Sequence, residues 1–188
     1  MNFKAAVLIK TKKPLKIINN LKTPALKRGQ VLVRVLHSAI CRSQIMEIEG
    51  KRGNDKYIPH LLGHEGAGIV EKIGSGVTKV LPGDKVFLSW IKGKGLEAGG
   101  SKLRNNKEII NAGPITTFSN YSIISENRCF LVPKKFPIKK SVIFGCAVPT
   151  GSGIVLNQIK PKKNDNICII GLGGVGLSAL MACKFLKL

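Results

Sequence analysis

The chain has 188 residues, 44% of them hydrophobic, and a formal net charge of +21 at pH 7. This length suits one domain, or one domain with part of a second, and the apolar content is enough for a packed core. No run approaches the roughly 18 apolar residues of a membrane-spanning helix, and the apolar run near the N-terminus, residues 5–9, is too short for a signal peptide. We therefore predict a cytoplasmic protein without a membrane partner.

The strong positive charge suggests nucleic-acid binding, but its distribution does not. Lys accounts for 25 of the 31 basic residues, and the basic residues are scattered along the chain, at most in pairs such as Lys12 and Lys13. Recognition of phosphates and bases favours clustered Arg, whose planar guanidinium group binds them through paired hydrogen bonds. We therefore predict a lysine-rich surface and no specific nucleic-acid partner.

The first 137 residues are predicted to form a mostly β, barrel-like domain. Short β-branched runs alternate with Gly and Pro turns, a pattern typical of such folds. The runs expected to be strands are 3–9, 15–18, 30–36, 66–73, the two halves of 77–86, 116–124 and 131–133. A short helix is expected around residues 45–48, ending at Gly50. Residues 50–60 and 92–114 are expected to be irregular, because they combine Gly, Asn and charged residues.

The pattern changes near residue 138, where helices are predicted over 138–145 and 149–159. A buried strand is then expected at 166–170, followed by a helix over 177–188 with apolar residues nearly all round. Between this strand and helix lies a G-x-G-x-x-G motif formed by Gly171, Gly173, Gly174, Val175 and Gly176. A strand, this motif and a helix form the dinucleotide-binding fingerprint, in which the helix N-terminus receives the pyrophosphate.

The cysteines, at positions 41, 129, 146, 168 and 183, do not form a compact framework of the secreted kind. In an intracellular protein such residues are buried thiols or metal ligands. A catalytic zinc takes three protein ligands and leaves one position open, and the candidates are Cys41, His64 and Cys146. They are 23 and 82 residues apart, so spacing alone leaves buried structural cysteines as an alternative.

Five ordered motifs together resemble the zinc-containing alcohol dehydrogenases of the medium-chain dehydrogenase/reductase family. They are a first-ligand motif at Ile40–Ser43, the zinc signature at Gly63–Val77, a strand start at Pro82–Val86, a third-ligand segment at Gly145–Gly151 and the nucleotide loop at Gly171–Gly176. The resemblance implies a GroES-like catalytic domain over residues 1–147. It also implies that residues 148–188 begin an NAD(P)-binding Rossmann domain.

The resemblance further implies roles for single residues. Cys41, His64 and Cys146 would bind the catalytic zinc, and Glu65 would be an occasional ligand or a plain neighbour of the metal. Roles next to the metal fall to five more residues: Ser43 at the substrate oxygen, Arg42 at the cofactor pyrophosphate, Thr150 and Val175 at the nicotinamide, and Trp90 in the substrate pocket. Ser43 as a helix cap and Trp90 as ordinary core are the alternatives.

The implied activity is interconversion of an alcohol with an aldehyde or ketone by hydride transfer to or from NAD or NADP. The full-length enzyme would be a homo-oligomer, and this chain alone would be an inactive fragment. The alternatives are a non-catalytic GroES-like binding module and a zinc-free relative like the quinone reductases. The chain departs from the family at Gln44, where Asp is usual, and at Met46, where some members have a relay His. Residues 87–128 contain no Cys, so the second, structural zinc of many members should be absent.

Overall fold

A computed structural model describes residues 2–105 and 108–188. Within these ranges, the first part of the chain forms two five-stranded sheets. One sheet has the order β2-β1-β4-β8-β7, and its strands are β1 (Asn2–Leu8), β2 (Lys16–Lys22), β4 (His60–Leu61), β7 (Ser101–Asn105) and β8 (Glu108–Ala112). The other has the order β10-β6-β5-β3-β9, and its strands are β3 (Gln30–Ser38), β5 (Glu65–Ile73), β6 (Lys85–Ser89), β9 (Tyr121–Ser125) and β10 (Cys129–Leu131).

The second sheet carries the denser apolar core and positions the start of β5. β5 lies between β3 and β6, antiparallel to both. Val31 and Val33 of β3 are fully buried, as are Leu88 of β6 and Ile124 of β9. Residues 66–69 of β5 pair with strands on both sides, so backbone hydrogen bonds hold the beginning of this strand in place. The mostly β, barrel-like architecture predicted for this part of the chain is confirmed.

Gly68 permits the close pairing of β5 with β3. A Cβ atom at this position would meet the Arg34 carbonyl oxygen, and would lie 2.9 Å from Cγ1 of Val33. We expect Gly68→Ala to lower the free energy of unfolding by about 1–3 kcal/mol, because overpacking forces backbone shifts. Gly99→Ala is the matched control, since no atom lies within 4 Å of its added Cβ. Equal denaturation midpoints for the two variants would contradict this expectation.

Glu126 ties two loops to the end of β9. Its carboxylate is 1% exposed and accepts three backbone hydrogen bonds, from Thr78 at 2.6 Å, Lys79 at 2.9 Å and Leu96 at 2.6 Å. A buried carboxylate is tolerated only where donors of this kind satisfy it. The contacts therefore make Glu126 a structural anchor for residues 77–80 and 94–98, which sequence reasoning did not identify.

The chain continues as helices after β10. One helix, α1 (Arg42–Ile48), lies within the β part. The elements after β10 are, in order, α2 (Ile138–Ser141), a 3₁₀ turn at Val142–Gly145, α3 (Ala147–Gly153), a π-helical stretch at Ile154–Ile159 and α4 (Gly174–Phe185). α3 packs closely on α4, because a Cβ at Gly151 would meet the Val175 carbonyl. In the described part of the chain, no single helix is long and apolar enough to cross a membrane. Taken together, the helical runs 138–145 and 147–159 reach the length and apolar composition of a membrane-spanning helix, but they are bent by 54° at their junction.

Three secondary-structure predictions are wrong. Residues 166–170 form no strand. Ile167 and Ile169 pack against a small apolar cluster of Val155, Ala182 and Cys183, but Cys168 and Ile170 are exposed. This extended segment has no strand beside it among the described residues, and a strand needs one for its backbone hydrogen bonds. Residues 77–81 are also irregular, because Glu126 rather than a strand pairs their backbone. Conversely, the segment 92–114 contains β7 and β8, which pair antiparallel.

Candidate metal centre

Four potential ligands from three parts of the chain converge on one point. Cys41 precedes α1, His64 and Glu65 lie at the start of β5, and Cys146 lies between the 3₁₀ turn and α3. One ligand atom from each residue lies within 4.8 Å of every other. The set of two sulfur atoms, one nitrogen and one oxygen matches the ligand types that Zn²⁺ takes in proteins. The fold thus brings together the residues that the sequence separates by more than a hundred positions.

His64 supplies a direct test of whether a metal fits. Its Nε2 atom is buried and has no hydrogen-bond partner among the described residues, and it lies 3.9 Å from Oε1 of Glu65. Burial, and to a smaller extent the charge of Arg52, lowers the pKa of His64, so its imidazole is neutral at neutral pH. A neutral, buried nitrogen without a partner is costly on its own. The Nε2 atom of His64 is therefore suited to direct its lone pair at a cation.

The pKa shifts of Glu65 and Cys146 also favour a cation at this centre. Burial raises the pKa of Glu65. Burial, then the neighbouring Cys41 and Glu65, raises the pKa of Cys146 to about 11, against smaller opposing effects of hydrogen bonds from Trp90 and Thr150. Without a positive charge at the centre, the Cys146 thiol therefore keeps its proton at neutral pH. A divalent cation favours the thiolate and replaces that proton.

Two local features hold the cysteines in place. A Cβ at Gly145 would lie 2.5 Å from the Leu88 carbonyl oxygen and 2.9 Å from Cα of Glu65, so only Gly lets the chain bring Cys146 against β5 and β6. Gln44, which is 2% exposed, accepts the backbone N–H of Cys41 through Oε1 at 3.1 Å. The Gln44 side chain thus caps the start of α1 and holds the backbone of the candidate ligand Cys41.

The other predicted site residues differ in how closely they approach the candidate ligands. Ser43 Oγ donates to Cys41 Sγ at 3.4 Å, and Thr150 Oγ1 lies 4.0 Å from Cys146 Sγ. Trp90 is 48% exposed, which excludes the alternative that it is ordinary core. Arg42 is exposed at the first position of α1.

The glycine motif lies next to the metal ligands. Gly171 has φ of +92°, the left-handed conformation that favours Gly, and α4 begins at Gly174. No atom lies within 4 Å of an added Cβ at Gly171 or Gly173, whereas one at Gly176 would meet the Gly171 carbonyl. An added Cβ at Gly174 would lie 3.2 Å from Cβ of Ala147, the residue after Cys146. The loop is therefore open around Gly171 and Gly173, and at Gly174 it lies against the start of α3, one residue after Cys146.

Sequence reasoning missed the residues that fix the start of β5. The carbonyl oxygen of Glu65 accepts hydrogen bonds from Ser38 Oγ at 3.0 Å, from Thr117 Oγ1 at 3.1 Å and from the backbone N–H of Ala39 at 3.1 Å. Ser38 and Thr117 are also 2.8 Å apart. Neither residue belongs to a recognisable motif, so no signal in the sequence pointed to this role.

A zinc-binding arrangement on a barrel-like β domain defines the class to which this chain belongs. The family model for the alcohol dehydrogenase GroES-like domain matches residues 27–134, more than half of the chain. The chain therefore belongs to this family, and the resemblance inferred from its motifs is confirmed.

Individual relatives agree with the family assignment. The class-3 alcohol dehydrogenase of Caenorhabditis elegans is 31% identical over 98% of this chain and 54% of its own length. That of Myxine glutinosa is 33% identical over 96% and 54%. Among solved structures, benzyl alcohol dehydrogenase from Acinetobacter calcoaceticus matches with a TM-score of 0.83 and 28% identity over 98% of this chain and 56% of that chain. An alcohol dehydrogenase zinc-binding domain protein from Burkholderia ambifaria has a TM-score of 0.84 at 25% identity, with the same coverage. The chain spans about half the length of the relatives it matches.

Proposed function

We propose that this chain supplies the metal site and the first part of the cofactor site of a zinc-dependent oxidoreductase. The enzyme interconverts an alcohol with an aldehyde or ketone by hydride transfer to or from NAD or NADP. The observation that carries the proposal is the convergence of Cys41, His64, Glu65 and Cys146, in which Nε2 of His64 finds no hydrogen-bond partner among the residues that the structure describes. The names of the class-3 and benzyl alcohol dehydrogenases support the same reaction class.

The protein's own residues provide binding and proton transfer. Bound Zn²⁺ would stabilise charge on the substrate oxygen as a Lewis acid, and the nicotinamide would accept or give the hydride. Ser43 holds a hydroxyl group beside Cys41, and we assign to its Oγ the transfer of the substrate's hydroxyl proton. Arg42 carries a planar, permanent charge suited to a pyrophosphate. Thr150 of α3 and Val175 of α4 lie on two helices that pack against each other, and we assign to both residues the contact with the nicotinamide.

The finer assignments rest on the same features. Residues 1–147 are the catalytic domain, and residues 148–188 begin the NAD(P)-binding Rossmann domain. The open glycine loop ahead of α4 supports the second assignment, because free N–H groups at a helix N-terminus attract phosphates. The absence of Cys over residues 87–128 supports a protein with one thiolate-bound zinc and no four-cysteine structural zinc. The cytoplasmic location and the homo-oligomeric state stay predictions.

Steady-state oxidation of a panel of alcohols with NAD and NADP by the full-length protein tests the proposal, because the absorbance of the reduced nicotinamide reports turnover directly. We expect Ser43→Ala, assayed with zinc in excess, to lower kcat per zinc-loaded enzyme by about 10²–10⁴-fold, the usual contribution of one proton-transfer group. Ser43→Thr is the matched control, because it keeps the hydroxyl. Turnover that survives complete removal of zinc would indicate a zinc-free reductase instead. Absence of turnover by the full-length, zinc-loaded protein with every alcohol and both cofactors would indicate a binding module.

A further inference from the structure

A second group of ligand-type side chains lies apart from the centre described above. Glu47 of α1, Asp55 of the loop that follows and His60 of β4 each place one ligand atom within 4.8 Å of the others. His60 Nε2 lies 2.7 Å from Asp55 Oδ2 and 3.7 Å from Glu47 Oε1. The His60 side chain is 9% exposed, and that of Asp55 is 13% exposed. The proposed function uses none of these residues.

The hydrogen bonds of His60 show that a positive charge belongs at this cluster. Its Nδ1 lies 2.9 Å from the Leu61 carbonyl oxygen, and a carbonyl can only accept, so Nδ1 carries the proton of the neutral ring. The lone pair of Nε2 then points towards two carboxylates. Such a contact is repulsive unless a cation, either a proton or a metal ion, lies among the three groups.

The surroundings are those of a built metal site. Metal-bound His residues usually donate their other N–H to a carbonyl oxygen, which fixes the tautomer and the ring orientation, and His60 does this with Leu61. The second oxygen of Asp55, Oδ1, accepts the backbone N–H of Tyr57 at 2.9 Å, so this carboxylate is oriented as well.

We propose that Glu47, Asp55 and His60 form a second metal site, specific for a first-row divalent cation that accepts nitrogen and oxygen ligands. Zn²⁺ and Co²⁺ fit this donor set, whereas Ca²⁺ and Mg²⁺ prefer oxygen ligands alone. Arg52 is the nearest opposing charge, but its Nη1 lies 3.9 Å from Glu47 Oε2, the oxygen not nearest to His60. The exposed Arg52 side chain can leave the site without breaking the ligand geometry.

The position of the second site makes it accessible to a metal ion and places it between the segments that carry Cys41 and His64. Glu47 and His60 line a cavity of about 550 Å³ that His64 also lines, and Glu47 and Asp55 border an open pocket on the outer side. A metal can therefore enter from solvent. Because α1 begins next to Cys41 and β4 leads to His64, a metal here would hold together the two segments that carry those ligands.

Titration of the metal-free chain with Co²⁺ tests the inference independently of the proposed reaction. We expect one equivalent with thiolate-to-cobalt charge transfer, and a further equivalent with only the weak bands of nitrogen and oxygen ligation. Asp55→Asn and Glu47→Gln should each lower the affinity for the further equivalent by at least tenfold, while the thiolate band stays unchanged. Glu49→Gln, an acidic neighbour outside the cluster, is the matched control and should keep both equivalents.

Two results would overturn the second site. One is a wild-type chain that binds only thiolate-ligated cobalt, which would mean that a proton alone neutralises the cluster. The other is a further equivalent that persists unchanged in Glu47→Gln. Circular dichroism melting checks folding, and if Asp55→Asn unfolds, the more exposed Glu47 decides the question alone.

Discussion

Cys146→Ser is expected to lose the thiolate-bound zinc. Cys146 is 9% exposed and is the ligand that α3 brings to Cys41, His64 and Glu65. A serine hydroxyl stays protonated at neutral pH and is a far poorer zinc ligand than a thiolate. Because removing a mere partner of a ligand already lowers metal affinity about 10- to 100-fold, removing this ligand should lower it by more than about a hundredfold.

The measurement is the sulfur-bound zinc content after dialysis against a weak chelator. Cys168→Ser is the matched control, because Cys168 is exposed and lies outside the cluster, so that variant should keep the wild-type content. Equal retention of sulfur-bound zinc by Cys146→Ser and the wild type would contradict the assignment of the third ligand. Loss of zinc in both variants would show that the cysteines act together through the fold rather than as individual ligands.

Glu126→Ala is expected to cause the largest loss of stability of any single substitution proposed. The change leaves the backbone N–H groups of Thr78, Lys79 and Leu96 without their acceptor. Since each unsatisfied buried donor costs about 1–3 kcal/mol, and relaxation recovers part of this, the free energy of unfolding should fall by about 3–5 kcal/mol. Urea denaturation measures the change. Glu108→Ala, at an exposed residue, is the control and should shift the midpoint little; equal shifts in both variants would contradict the anchor role.

The same carboxylate makes stability depend on pH. Burial acts to raise the pKa of Glu126, but hydrogen bonds from Leu96, Thr78 and Lys79 and the charge of Lys79 outweigh it, so the net pKa is lowered. A lowered pKa in the folded state means that this stabilisation is present above the unfolded value, about 4.3, and is lost as pH falls through the folded value. Wild type should therefore lose stability in acid more steeply than Glu126→Gln. Parallel pH profiles would contradict this.

The candidate site could be predicted largely from motifs, and its geometry could not. His64 and Cys146 each lie beside glycines, and Cys41 lies in the short motif Ile40–Ser43. Their distance in space depends on β5 lying between β3 and β6 and on Gly145 allowing close approach. Those contacts join residues far apart in sequence, so no local pattern encodes them.

The errors in predicted strands have a common physical cause. In β7 and β8 the buried residues Leu103 and Ile110 alternate with exposed neighbours, but the surrounding Gly, Asn and Lys favoured an irregular segment. At residues 166–170 an apolar run indicated a strand that has no neighbour among the described residues. Whether a run becomes a strand depends on the partner beside it, which the run itself does not specify.

Polar anchors were the features least visible in the sequence. Glu126 lies outside any motif, and its three backbone partners come from loops 30 and more positions away. Glu47, Asp55 and His60 are within 13 positions of one another, but their spacing matches no known ligand pattern. The sequence marks Gln44 only as a substitute for the usual Asp, and its contact with the Cys41 backbone depends on where α1 begins.

X-ray absorption at the zinc edge, on protein given less than one equivalent of zinc, tests the central claim most directly. If Cys41, His64 and Cys146 bind zinc, the zinc atom should have two sulfur neighbours at about 2.3 Å and nitrogen or oxygen neighbours at about 2.0–2.2 Å. The sulfur signal should be reduced in Cys146→Ser. A spectrum without sulfur neighbours, or a wild-type chain that retains no zinc, would contradict it.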